Sequence, residues 1–295
     1  MSGMTVINAP TVSPVPAASP ATGETTTASA PHRSRRLFAG GGFSVWLSTD
    51  ADDIRDAQRL RYEVFATEPG FSSTIGDAAT RLDADRFDEF CEHLLVREEE
   101  TGALVGCARL LSPLRAIAAG GWYSDGEFDL AELAPITART VEMGRAAVAV
   151  GQRNGAVTAL MWAAVLAYVE ETGHSYLMGC VSVPLSAPGT QRGSVLRGIR
   201  DELRNRYRAD WQVFPHGGSV IDGVRLDDIE PPQRLLIPPL LRGYLRLGAR
   251  VCGEPAIDPV FDCGDFLTVL SADDADSRYR RRLTDTVRRL SEQSA

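Results

Sequence analysis

The sequence predicts a mixed α/β fold, an α+β layered domain, on three observations. Short apolar runs alternate with segments of helical period along most of the chain. A strand-like run at 140–150 passes through a Gly-containing turn into a long helical pattern that ends near 172. The 295 residues are 44% apolar, an ordinary share for a globular chain, and allow one large domain or two small ones.

The first 42 residues are rich in Pro, Ala, Ser and Thr and lack the apolar core of a signal peptide. They are expected to form a disordered N-terminal tail that carries the basic cluster His32–Arg36. The folded domain is expected over 43–295, with a C-terminal helical extension. Phe43–Ser48 alternates like a strand. Asp50 or Asp52 can cap a helix that runs to about Thr67. Residues 68–90 read as a loop. Strands follow at about 93–98 and 104–111, joined by a turn at Glu99–Gly102. Residues 112–139 mix loop and short helix.

The helix after the 140–150 strand carries Val157, Leu160, Met161, Ala164, Val165 and Tyr168 on one face. Gly173 suits its C-terminal stop. Tyr176–Val183 reads as a buried strand, and 194–208 as a helix. Leu240–Leu247 has Arg242 and Arg246 interleaved with apolar residues. Phe261–Leu270 reads as a strand, and Arg278–Leu290 as an arginine-rich helix.

The net charge of −8 argues against a nucleic-acid partner. The chain has no lysine, so Schiff-base lysine chemistry is excluded. Cys91, Cys107, Cys180, Cys252 and Cys263 form no Cys-x-x-Cys pair and read as buried free thiols of a reducing compartment. The four histidines do not pair with them at ligand spacing, so no metal is expected. No apolar run reaches the ~20 residues that span a bilayer.

The chemistry points to 142–156. A glycine turn that opens a helix presents free backbone N–H groups, and the helix dipole favours an anion there. A plain strand–helix connection is the competing reading. A P-loop is excluded because the Gly-Lys-Ser/Thr run is missing. Glu142 and Arg145, just ahead of the turn, are the candidate catalytic residues. Glu142 is the candidate general base, with a structural ion pair to Arg145 as its alternative. Arg61 and Arg109 either pin a substrate carboxylate or bind Asp85 and Asp88 and shape the pocket. Phe65 is a core residue or a pocket wall.

Gln152-Arg153-Asn154-Gly155-Ala156 resembles the pyrophosphate loop of the GNAT acyltransferases, which holds the phosphopantetheine arm of an acyl thioester. Arg61-Tyr-Glu-Val-Phe65, Asp85-Arg-Phe-Asp88, Arg109-Leu-Leu111 and Glu142-Met-Gly-Arg145 are similar, in that order, to motifs of the acyl-homoserine-lactone synthases. The aromatic residue those enzymes carry after the Phe has Phe71 as its nearest candidate here. A closer resemblance is to the ornithine–acyl-ACP N-acyltransferases. It rests on Gly126–Leu130, Tyr176–Cys180, Pro238–Gly248 and Gly253–Ala256.

The resemblance implies a GNAT-like fold with a mixed central sheet flanked by helices. It implies transfer of a (3-hydroxy)acyl chain to a small amino acid, ornithine by this likeness, with Asp85 and Asp88 holding the cationic end. The co-substrate is then acyl-ACP or acyl-CoA, with no tightly bound cofactor and with acyl carrier protein as partner. The alternatives are a lactone-type signal synthase, an acyltransferase for another amine, and a non-catalytic acyl- or carrier-binding domain. The amphiphilic product implies a cytoplasmic enzyme in reversible contact with the anionic inner face of the membrane. Pro238–Leu247 and the 278–290 helix are the expected contacts, and an ordinary charged surface is the alternative.

Overall fold

The computed structural model describes residues 34–67, 76–153 and 155–272, and the isolated positions 281 and 285. The chain order is β1 (Ser34–Gly40), β2 (Phe43–Ser48), α1 (Ala51–Phe65), β3 (Glu92–Glu98), β4 (Leu104–Leu111), α2 (Pro113–Ala118), β5 (Phe128–Asp129), α3 (Ala134–Thr137), β6 (Thr140–Val148) and α4 (Ala156–Glu171). It continues with β7 (Tyr176–Pro184), α5 (Ser194–Arg206), β8 (Arg208–Pro215), β9 (Val220–Ile221), β10 (Val224–Arg225), α6 (Pro239–Leu247), β11 (Arg250–Gly253), β12 (Ala256–Asp258) and β13 (Cys263–Ser271).

Eleven strands form one mixed sheet in the order β1-β2-β3-β4-β6-β7-β13-β11-β8-β5, with β12 paired to β13. Two neighbouring pairs are parallel, β6 with β7 and β11 with β8. α1 covers one face through Ala57, Leu60 and Val64, which pack near Leu95, Cys107 and Ala147. α4 covers the other face, where Val157, Leu160, Met161, Ala164, Val165 and Tyr168 are all buried as the 3.6-residue period predicts. Each of the Val, Leu and Met side chains among them contributes about 1.5–3 kcal/mol when buried.

Local signals explain the element ends. Asp50 caps α1 by accepting the Asp52 N–H at 2.9 Å. Gly173 follows α4 with φ +71°, a backbone conformation open to glycine. β1 lies inside the stretch expected to be a tail, so the described fold starts at Ser34, and residues 1–33 lie outside the described residues. The helix expected to reach 208 stops at Arg206 and β8 follows at once. The strands β8, β11 and β12 are additions to the elements expected from sequence. Of the arginine-rich 278–290 segment only Arg281 and Asp285 are described, both helical, and Phe71 lies outside the described residues.

Two features of β6 position the charged side chains it carries. Its pairing with β7 covers only Thr140–Glu142, opposite Tyr176–Met178. β4 stays with β6 to Val148, and β7 stays with β13 along its whole length, so β6 and β7 part beyond Glu142. Gly179 marks the point of separation, because a Cβ there would collide with the Met143 carbonyl oxygen. The second feature is a β-bulge: Cys107 pairs Ala147 and Arg109 pairs Gly144, so Arg145 and Ala146 both oppose Ala108. Arg145 takes φ +51°, at a cost of about 1–3 kcal/mol for a non-glycine residue.

Candidate active site

In a regular strand, residues three apart point to opposite faces. Arg145 is itself a residue of the bulge and has φ +51°, which breaks that alternation at its position. Both side chains therefore face the α1 side of the sheet, together with Arg109 of β4, while Met143 enters the core on the α4 side. The expected alternative of an ion pair between Glu142 and Arg145 is not formed: Arg145 pairs instead with Asp83 and Asp85 at 3.3 and 3.7 Å.

Arg61 of α1 is 1% exposed, too deep for an unpaired charge. It clamps Asp88 through two hydrogen bonds of 2.8 and 2.9 Å, donates to the Asp83 carbonyl oxygen, and brings Nε to 2.9 Å from Asp83 Oδ2. Arg109 donates to Asp85 and to Asp88, the latter at 3.1 Å. Gln58 Nε2 and the Asp85 N–H also donate to Asp88. These arginines and the hydrogen bonds hold the Asp88 carboxyl far below the usual carboxylate range against the opposing effect of burial. His93 donates from Nε2 to the Asp88 carbonyl oxygen, and burial lowers its pKa.

Arg61, Arg109 and Arg145 thus balance Asp83, Asp85 and Asp88. Of the two readings left open for Arg61 and Arg109, the geometry supports the one in which they bind the aspartates and shape the pocket. Asp85 and Arg145 are the least enclosed of the set, with side chains 24% and 16% exposed. Asp85 Oδ2 and Arg145 Nε are buried without a hydrogen-bond partner. Tyr123 accepts a hydrogen bond of 3.1 Å from Arg145 Nη1, and the Arg145 guanidinium lies 5.0 Å from the Phe261 ring centre. Phe65 meets Phe261 edge-on at 5.8 Å, so it is packed within this wall.

Glu142 sits where β6 leaves β7. Its Oε2 accepts the Tyr123 N–H at 2.7 Å, and its Oε1 accepts the Ser124 N–H at 2.9 Å and the Ser124 hydroxyl at 2.5 Å. Burial raises its pKa, and these three donors and the Arg109 charge oppose that rise. Ser124 Oγ lies 3.5 Å from Cys180 Sγ, and Cys180 reaches Glu127 at 3.9 Å. Glu127 is pushed up to about 8 by burial and by the charges of Asp265 and Asp258, and Asp265 to about 6, first by burial. Among the described residues none of these three acids has an ion-pair partner. Asp258, Cys263 and Asp265 bring one ligand atom each within 4.8 Å of the others. An ammonium group suits such a set of carboxylates.

The turn expected to hold an anion follows β6. Gly155 has φ +91° and is the N-cap of α4, and as a glycine it brings no capping side chain of its own. Ala156 opens the helix. Gln152 is held by its N–H to the Ala149 carbonyl at 3.0 Å, and Arg153 Nε reaches the Val148 carbonyl at 3.4 Å. Asn154 lies outside the described residues.

Asp83, Tyr123, Ser124, Glu127 and Asp265 were missed as site residues by sequence reasoning. Glu127 lies in Gly126–Leu130, and Cys180 and Gly179 in Tyr176–Cys180, so two of the quoted motifs contained the signal. Tyr123, Ser124 and Asp265 carry none.

Residues 60–163 match the family model of the acetyltransferase (GNAT) domain. An L-ornithine N(alpha)-acyltransferase of Brucella abortus is 32% identical over 251 residues, which span 81% of this chain and 88% of that protein. The enzyme of that name from Rhodobacter capsulatus is 30% identical over 250 residues, 82% of this chain and 95% of its own. A solved CoA-dependent acyl-homoserine lactone synthase, BjaI, is 15% identical, covers 80% of this chain and 83% of its own, and has a TM-score of 0.46, too low to bear on activity. The extent and level of the first two matches settle the family: this chain belongs to the L-ornithine N(alpha)-acyltransferases.

Proposed function

We propose that the protein transfers a (3-hydroxy)acyl chain from a phosphopantetheine thioester to the α-amino group of ornithine, which yields a lyso-ornithine-lipid product. The observation that carries this reading is Glu142, a buried carboxylate at the mouth of the β6/β7 gap, on the strand that leads to the α4 turn. The thioester arm lies in that gap, with its phosphate at residues 152–156 and the α4 N-terminus. Glu142 takes a proton from the substrate ammonium, directly or through one water. The free amine attacks the thioester carbonyl, the C–N bond forms, and the thiolate leaves with a proton returned to sulfur. Backbone amides on the parted edge of β6 suit the developing oxyanion.

Asp85 and Arg145, the least enclosed members of the charged cluster, offer one sign of charge each to the amino-acid head. Glu127, Asp258 and Asp265 support an acceptor with a second ammonium group. Acyl carrier protein is the proposed donor, used at the inner face of the membrane. No described helix is long and apolar enough to cross a membrane.

Purified protein with ornithine and either 3-hydroxyacyl-ACP or the matching acyl-CoA, followed by mass spectrometry, tests this. N-acylornithine formed faster from acyl-ACP is expected. A product of another amine, or an acyl lactone, rejects the acceptor assignment. Preference for acyl-CoA rejects the donor.

A further inference from the structure

All three hydrogen bonds to Glu142 come from Tyr123 and Ser124. This pair belongs to the chain between α2 and β5, far in sequence from β6. Ser124 is wholly buried, and its hydroxyl has two neighbours, Glu142 Oε1 and Cys180 Sγ. A carboxylate only accepts, so the Ser124 proton points to Glu142 and the Cys180 thiol can donate to Ser124 Oγ. Burial raises the Cys180 pKa well above the usual thiol range, so this thiol keeps its proton.

The other charged or titratable groups that face Glu142 are Arg109 on β4, Cys91 ahead of β3, Cys180 on β7 and Glu127 ahead of β5. Arg109 is the one cation among them, and its guanidinium is engaged by Asp85 and Asp88. Glu127, when ionised, opposes a second negative charge nearby. The ionised form of Glu142 therefore depends on its direct donors. One of these is a side chain that can be removed without touching the backbone.

We propose that Ser124 is a positioning residue of the acyl transfer: its hydroxyl engages Oε1 and fixes Glu142 as an oriented carboxylate, whose Oε2 has one N–H donor and keeps a lone pair for the substrate amine or its water. This rests on the reading of Glu142 as the group that accepts the amine proton. The two backbone amides hold the carboxylate in place, and the hydroxyl tips the balance toward the charged form. Loss of one hydrogen bond to a charged group moves a pKa by about one to two units, and here the move is upward because the lost donor favours the ionised form.

The test is the pH profile of kcat/KM for Ser124→Ala, with Ser124→Thr and Glu142→Gln alongside. In Ser124→Ala the acidic limb is expected to move up by about one to two pH units. The rate at alkaline pH should return to near the wild-type plateau. Ser124→Thr keeps the hydroxyl and should keep the wild-type limb. A uniform loss at every pH with the limb in place, or no change at all, overturns the proposal. The Glu142→Gln variant separates the two failures. If it loses turnover while the Ser124→Ala limb stays put, Ser124 is wrongly assigned and Glu142 stands. If Glu142→Gln turns over normally, the base assignment itself falls, and Ser124 with it.

Discussion

Arg145 stands 3.3 Å from Asp83 and makes no ion pair with Glu142, its neighbour three positions earlier on β6. The bulge at Arg145 brings the two to the same face, and the cluster of aspartates then draws the arginine away. Glu142 is left with hydrogen-bond donors and, among the described residues, no ion-pair partner. A carboxylate so placed can take up a proton and release it, whereas one locked to a guanidinium resists protonation.

The two aspartates of the Asp85–Asp88 motif should therefore behave differently. Asp88 is buried between Arg61 and Arg109, and Asp88→Ala takes one carboxylate from a buried cluster of three arginines, leaving Arg61 with Asp83 and Arg109 with Asp85. A loss of about 3–5 kcal/mol is expected, seen as a large fall in the thermal or urea midpoint. Because its folded pKa is lowered, Asp88 contributes stability above its unfolded value, and that stability is lost as the pH falls through the acid range. Asp85→Asn should leave the fold largely intact and raise the KM for ornithine more than the KM for the acyl donor. Equal effects on both substrates would make Asp85 a structural residue only.

Gly155→Val tests the thioester loop. No atom stands within 4 Å of a Cβ at this position, so the side chain itself fits. The φ of +91° is the obstacle, and it costs a β-branched residue about 1–2 kcal/mol. The added bulk also keeps a phosphate from the backbone. The expected result is a folded protein with a donor KM raised about tenfold or more and an unchanged ornithine KM; a tenfold loss corresponds to ~1.4 kcal/mol of binding. Unchanged donor kinetics in a folded variant would remove this loop from the donor site.

Glu127→Gln has a pH signature. The folded-state pKa of Glu127 is about 8, above its ordinary value of 4.5, through burial and the neighbouring acids. A raised carboxyl pKa contributes stability below the unfolded value and loses it as the pH rises through the folded value. Wild-type protein without substrate should therefore lose stability between about pH 4.5 and 8, with Asp265 adding to the loss up to about pH 6. Glu127→Gln should melt higher than wild type at pH 8–9 and match it near pH 4. It should also weaken selection of ornithine over a mono-amino acid. Identical melting curves at alkaline pH would show that Glu127 is not strained by its neighbours.

The elements that were legible from sequence are those held by one local pattern. α4 announced itself through six apolar residues at helical spacing, and β3, β4 and β7 through continuous apolar runs. β8 carries a strand signal, since Arg208–Val213 alternates polar and apolar residues, but it follows α5 after a single residue and merges with the helix expected to reach 208. The site divides in the same way. Glu142, Arg145 and Gly155 lie within one strand–turn–helix and were found together. The bulge at Arg145 leaves no mark in the sequence, since Arg145 and Ala146 read like any strand pair. Asp265 meets Ser182 only through the pairing of β13 with β7, and Ser124 reaches Glu142 only through the loop after α2. Such long-range meetings are set by topology, not by spacing.

The Pro238–Leu247 segment brings the fold to the membrane question. As an arginine-interleaved apolar run it suggested a surface for lipid. In α6, however, Leu241, Tyr244, Leu245 and Leu247 are buried, with Tyr244 edge-on to Trp162 at 4.6 Å. Those residues serve the core. What remains outside is Leu236, 80% exposed, and Leu240, 49% exposed, beside the exposed Arg234, Arg242 and Arg246. Three arginines near an anionic surface supply about 3 kcal/mol at about 1 kcal/mol each, enough for weak and reversible contact only. The protein is expected to float with vesicles rich in anionic lipid at low salt and to release at high salt. Leu236→Ser with Leu240→Ser should weaken that binding while N-acylation of ornithine in solution continues. Flotation that survives high salt would require apolar insertion deeper than these two leucines can supply. No flotation at low salt would leave this face an ordinary charged surface, and the amphiphilic product would then pass to the bilayer without it.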